Sequence, residues 1–147
     1  MRSPVRSIVV VLGVLSFAGA RNASAQIIDN VDFTTSFAFT VGNSTMPAGS
    51  YTIRPDDDNP QVLILQGKNA ATIFPIDPAT APETPSKTEV VFSRYGNTYV
   101  LKNIWIEGMD AGAETIPAEG ERHAAKGGTK TEQRVAARRI SAAGRGR

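Results

Sequence analysis

The chain has 147 residues, with 16 Lys and Arg against 14 Asp and Glu and a formal charge of +2. That length suits one small domain, and the absence of cysteine excludes disulfides, thiolate metal sites and thiol nucleophiles. A small domain without covalent staples must rely on its core, which favours a well-packed sheet over a loop-rich scaffold.

Residues 1–26 have the organisation of an export signal. Arg2 and Arg6 provide a positive start, residues 8–20 follow without a charge, and Ala23-Ser24-Ala25 places small side chains before Gln26. The apolar run is too short to cross a hydrocarbon layer, which takes about 20 residues. The expectation is therefore cleavage after residue 25, with the protein working in the periplasm or outside the cell and no transmembrane segment in the mature form.

Loss of Arg2, Arg6 and Arg21 leaves 13 basic residues against 14 acidic ones, net −1. These charges are unevenly placed. Residues 26–116 hold 5 basic and 11 acidic side chains, net −6, whereas residues 117–147 hold 8 and 3, net +5. The expected organisation is a signal over 1–25, an acidic body over 26–116 and a basic tail over 117–147.

The body is dominated by strand signals. Along residues 31–41, Val31, Phe33, Phe37, Phe39 and Val41 share one face and Asp32, Thr34, Ser36, Ala38 and Thr40 the other, the alternation of a strand with one buried face. Residues 42–50 read as a connection, residues 50–54 as a short strand, and Asp56-Asp57-Asp58-Asn59-Pro60 as a loop. Val62-Leu63-Ile64-Leu65 is apolar on both faces and predicts a covered strand. A strand over residues 70–76 follows, and Pro75, Pro78, Pro82 and Pro85 then predict a long surface connection.

Residues 88–94 and 98–107 form the clearest hairpin, because Gly96-Asn97 can supply a two-residue turn. In its second strand Val100, Ile104 and Ile106 lie on one face and Tyr99, Leu101 and Trp105 on the other. Such a strand either sits between two layers or carries a bulge that switches its faces. Residues 117–125 and 131–143 predict two weakly helical pieces, broken at Gly127-Gly128, with a disordered end at Gly144-Arg145-Gly146-Arg147. The fold class is mainly β: a small antiparallel sandwich or barrel of about six or seven strands with a weakly helical C-terminal tail.

Phe37-Ala38-Phe39-Thr40-Val41-Gly42, Met46-Pro47-Ala48-Gly49-Ser50-Tyr51 and Phe92-Ser93-Arg94-Tyr95-Gly96 occur in that order, followed by Tyr99, Leu101, Trp105 and Gly108. This pattern resembles a family of uncharacterised small exported acidobacterial proteins, with F-x-F-x-V-G, L-P-A-G-x-Y, F-x-R-Y-G and Y-x-L-x-x-x-W elements. The likeness spans residues 31–121, with Met46 where leucine is usual and Gly112-Ala113-Glu114-Thr115-Ile116-Pro117 one residue longer than the family's closing element. It implies an exported β-domain and no particular activity.

Catalytic chemistry finds little to use. His123 is the only histidine and lies in a Gly-rich region, and no G-x-S-x-G, H-E-x-x-H or Walker-type loop occurs. The acidic run at Asp56 to Asn59 lacks the glycine and distal glutamate of a calcium loop and reads as a solvated turn. Asn43-Ser44-Thr45 reads as turn chemistry. Trp105, Tyr95 and Tyr99 could form an aromatic platform for sugar, but alternation places Trp105 with Tyr99 and Leu101 in the core. Arg94 is expected to pair with an acidic neighbour.

These observations lead to an exported, non-catalytic structural or interaction module of the bacterial envelope, with no catalytic, cofactor-binding or metal-binding residue assigned. Its basic tail, with Arg134, Arg138, Arg139, Arg145 and Arg147, would face an anionic envelope surface rather than nucleic acid. A small barrel holding an apolar molecule is the alternative. A third reading, an enzyme built on Asp77, Glu89 or Glu107, requires two of these carboxylates in one cleft.

Overall fold

The computed structural model describes residues 28–140. The expected signal over 1–25 and its cleavage site, with Arg145 and Arg147, lie outside the described residues. Ten strands and one short helix follow in the order β1 (Asn30–Thr35), β2 (Phe39–Val41), β3 (Ser44–Met46), β4 (Gly49–Pro55), β5 (Val62–Gly67), β6 (Ala71–Thr80), β7 (Glu89–Tyr95), β8 (Thr98–Trp105), β9 (Ala111–Thr115), α1 (Glu119–Ala125) and β10 (Lys130–Ile140).

Eight of these strands close a barrel. Strands β8, β7, β10, β1, β4, β5, β6 and β9 are neighbours in that order, all antiparallel, and β9 returns to pair with β8. The seam is short, holding the pairs Asn103↔Glu114 and Ile104↔Ala113. It is reinforced by the Thr115 hydroxyl donating to the Leu101 carbonyl at 2.7 Å and by a Lys102–Glu114 ion pair at 2.9 Å. Beside the seam the β2–β3 hairpin leans on β8 through one parallel bridge, Thr40↔Val100.

The closed barrel agrees with the expected β-class, but the strands depart from the expected set in three ways before β7. First, residues 31–41 are two strands on one inward parity: Val31, Phe33, Thr35, Phe39 and Val41 are all buried. The chain turns between them, where the Thr35 hydroxyl donates to the Phe37 carbonyl at 3.0 Å. Second, the expected connection at 42–50 contains β3, folded back on β2 across Gly42, whose φ of 58° suits a tight turn.

Third, β6 runs to Thr80 through Pro75 and Pro78. Its first half pairs with β5 and its second half with β9. The Ile76 amide points to the β5 side, donating to Gln61. By alternation Pro78 faces that same side beyond the start of β5, and Pro75 faces the β9 side beyond its last pair. Each missing N–H falls on an unpaired edge, where a proline costs little.

The largest correction concerns the tail. Residues 131–143 were expected to be weakly helical, yet Lys130–Ile140 is the longest strand, inserted between β7 and β1. Among the described residues only Glu119–Ala125 is helical. The expected tail over 117–147 thus contributes a stave of the barrel. Val135 and Ala137 give it an inward face that packs against the core, too sparse to mark a helix but sufficient for a strand.

The interior is filled by side chains. At one end an aromatic cluster joins Phe33, Phe37, Phe39, Tyr51, Phe92 and Tyr99, with Phe39 edge-on to Phe92 at 5.1 Å and Phe37 stacked on Tyr99 at 4.0 Å. All but Phe33 are residues of the sequence motifs, so the motifs specify core packing and turns. Tyr51 also lies against its cross-strand partner Gly67, where a β-carbon would come within 2.6 Å of the ring. Burial pushes the Tyr51 phenol up from its ordinary pKa.

Deleting residues 127–147 would strip the barrel of β10 and expose the edges of β7 and β1. The expected outcome is loss of the cooperative thermal transition in far-UV circular dichroism. A truncated chain that melts with the full-length protein would contradict the assignment of β10 as a stave.

Candidate functional site

The β8 ladder carries a bulge that decides the outer surface. Val91 pairs with Asn103 and Phe92 with Leu101, leaving Lys102 as the extra residue. The inward parity therefore passes from Leu101 to Ile104 and Ile106, both fully buried. Trp105, expected in the core with Leu101 and Tyr99, is turned to the outside. This switch was one of the two ways the doubly apolar strand could be resolved.

Four adjacent strands present one row on the outer face. Glu89 on β7 pairs with Trp105 on β8 and with Ala136 on β10, and Arg134 lies two residues from Ala136 on the same side. The seam register places Gly112 of β9 beside Trp105. Gly112 leaves the room the indole occupies: a β-carbon there would stand 2.4 Å from the six-membered ring and 2.6 Å from the Ile104 carbonyl. Trp105 is thus half-buried, seated on the glycine and facing outward.

A Pro-rich loop, residues 81–88, forms the opposite wall and is pinned in place. The Ala81 amide donates to the Asp110 carbonyl at 2.8 Å, the Gly108 amide to the Pro85 carbonyl at 2.9 Å, and the Glu107 amide to the Thr88 hydroxyl at 3.1 Å. The Thr84 hydroxyl donates to the Asp110 carboxylate. Loop and sheet enclose a cleft of about 350 Å³ bounded by Pro82, Pro85, Glu89, Trp105 and Arg134. A second cleft of about 530 Å³ continues past Trp105, sharing Pro82 and Arg134 and adding Asn103, Glu114 and Glu132.

Glu89 is the electrostatic centre of this site. Its side chain is 8% exposed, and Oε1 accepts from Arg134, which also donates to Glu132 at 3.2 Å. The hydrogen bond to Glu89 holds the Arg134 guanidinium above its ordinary pKa. Oε2 is buried and has no hydrogen-bond partner among the described residues; the Lys87 ammonium stands 3.9 Å away. A buried carboxylate oxygen without a donor is costly, and such groups gather at functional sites.

The other candidates fall elsewhere. Glu89 and Glu107 line different clefts and Asp77 lines neither, so the three carboxylates are not brought together. His123 is exposed on α1. The Asp56 carboxylate caps its own loop by accepting from the Asp58 and Asn59 amides at 2.9 and 3.1 Å. Asn43 sits in the β2–β3 turn. Among the described residues no group of three or more His, Cys, Asp or Glu side chains could hold a metal ion. No described helix is long and apolar enough to cross a membrane.

Among the described residues Arg94 pairs with no acid. Its Nε donates to the Gly96 carbonyl at 2.8 Å, closing the hairpin, and its guanidinium lies 5.4 Å from the Tyr99 ring centroid. Three arginines of the expected tail do find acids, but within the molecule. Arg134 pairs with Glu89, Arg138 with its register partner Asp32 at 3.3 Å, and Arg139 with Asp29.

Another outward cleft, about 750 Å³, crosses β10, β1, β4 and β5. Several of its polar groups satisfy one another: Asp32 accepts from Thr52 at 2.6 Å and from Arg138, and Thr34 bonds Ser50 at 2.8 Å. Volume alone does not mark the site. Sequence reasoning missed the row Arg134–Glu89–Trp105–Gly112 because its members come from four strands whose neighbourhood only closure creates; the usable signal was the doubled apolar pattern of β8.

No protein-family model matches this sequence, and neither a curated protein nor a solved structure shows significant similarity to it.

Replacing Arg134 with Met would leave the buried Glu89 carboxyl with only the Lys87 ammonium, 3.9 Å from Oε2, and no hydrogen-bond donor. Because the guanidinium is 53% exposed, solvent screens the pair, and the expected loss is about 1–3 kcal/mol in urea unfolding. Adding Glu89→Leu in the same chain should recover most of it. Gly112→Ala would drive a β-carbon into the Trp105 ring and the Ile104 carbonyl, costing about 1–3 kcal/mol and altering the emission of the single tryptophan.

Proposed function

We propose that this chain is an exported, non-catalytic β-barrel module of the bacterial envelope that acts by binding through its outer surface. The observation that carries the binding role is the outward cleft in which Trp105, Glu89 and Arg134 meet, beside a barrel interior filled by aromatic and aliphatic side chains. Export rests on residues 1–26, with their basic start, uncharged apolar run and Ala-Ser-Ala exit. The motif likeness to exported acidobacterial proteins supports the same address.

The alternative, an apolar molecule held inside the barrel, is favoured by closure, since eight strands can enclose one small ligand. The packing opposes it: Phe39, Phe74, Phe92, Leu101 and Ile104 are fully buried in one contiguous cluster. Contact of the former tail with an anionic envelope surface is weakened, because Arg134, Arg138 and Arg139 already face carboxylates of the barrel.

Intact-mass measurement on fractionated cells tests the address. The expected species begins at Gln26 and is found in the periplasm or medium. A chain retaining Met1 in the cytoplasm would overturn the export reading.

A further inference from the structure

We infer that the paired clefts around Trp105 bind a neutral oligosaccharide, with the indole as the platform and Arg134, fixed by Glu89, as the hydroxyl-reading group together with Glu132. This names the ligand class for the outward site proposed above, and rests on that reading only for where the glycan would be met.

Three features converge. The first is the platform: Trp105 is seated on Gly112 and flanked by Pro82, so the indole is held on a rigid sheet and not on a loop. An aromatic face fixed in this way suits the C–H face of a pyranose ring, which buries apolar area without demanding charge. The second is the polar pair. Glu89 fixes Arg134, whose half-exposed guanidinium supplies N–H donors, and the exposed Glu132 carboxylate that Arg134 also holds supplies an acceptor beside it. Adjacent sugar hydroxyls both donate and accept, and so match an acceptor and a donor placed side by side.

The third feature is charge. An anionic ligand would meet Glu83, Glu89, Glu114 and Glu132 along the two clefts, whereas a cation would meet Arg134 at their shared centre. Three of those carboxylates already face cations of the protein, Glu89 and Glu132 meeting Arg134 and Glu114 meeting Lys102, which leaves little pull on a free cation and makes neutral polyhydroxyl chemistry the match. The dimensions agree: about 350 and 530 Å³ lie within the roughly 300–1,000 Å³ of small-ligand sites. Because both clefts share Trp105, Pro82 and Arg134, a chain of two or more sugar units would straddle the indole.

The single tryptophan makes the test direct, since the protein has one indole N–H resonance. Residues 26–147 would be titrated with cellotetraose, maltotetraose and chitotetraose, with choline and inorganic phosphate as charged controls. The expected result is a saturable shift of the Trp105 indole cross-peak with at least one of the three neutral glycans. The glucans and the N-acetylated chain distinguish an exopolysaccharide-type from a wall-type partner. Trp105→Ala should weaken that binding by about tenfold or more in calorimetry. Thr84→Lys, on the exposed loop wall, should weaken it as well while leaving the core untouched.

An indole peak unmoved by all three glycans, or moved only by choline or phosphate, would overturn the inference. So would glycan affinity unchanged in Thr84→Lys and in a folded Trp105→Ala. Cleavage before Gln26 is independent of every one of these outcomes, so failure here and failure of the export reading are separable.

Discussion

The architecture depends on the insertion of β10 between β7 and β1. Without it the sheet has two open edges, each a row of unpaired amides and carbonyls; with it the eight staves form a closed ring. The pairing is long, seven register positions with β7 and four with β1, and charge reinforces it on both sides. Arg134 reaches Glu89 on β7, while Arg138 and Arg139 reach Asp32 and Asp29 on or beside β1. The acidic body and basic C-terminal segment seen in the sequence are therefore two halves of one complementary surface.

That closure also builds the outer site. Glu89 is buried beneath the loop of residues 81–88, and its charge is tolerable there because β10 delivers Arg134 beside it. The bulge at Lys102 then turns Trp105 outward to the same row, and Gly112 across the seam leaves room for the ring. Each of these devices has a cost in isolation: an ion pair partly removed from water, a broken ladder, and a glycine in a strand. Together they hold an aromatic face and a carboxylate–guanidinium pair at fixed positions on a rigid wall. The inner aromatic cluster is the counterpart on the other side of that wall, and there the recurrent Phe and Tyr motifs are consumed in packing.

Parts of this were legible in the residues. Alternation identified the inward face of β1 and β2 and the β7–β8 hairpin with its Gly96-Asn97 turn, because both signals are local. The doubled apolar pattern of β8 announced a bulge or a second layer without saying which. The β10 segment was misread, since its Ala and Arg content suits a helix and only Val135 and Ala137 mark an inward face. The prolines of β6 were misread because a proline is excluded from a ladder only where its nitrogen faces a partner.

By itself the sequence determined a mainly β chain without disulfides, the parity of its best strands and a division of charge between two regions. These properties depend on neighbours a few residues apart or on composition. The tertiary structure alone decided the ring order, the inward or outward fate of Trp105, and the partners of Glu89 and the C-terminal arginines. Those depend on which strands become adjacent after closure, and pairing between residues as distant as Glu89 and Arg134 leaves no local pattern to read.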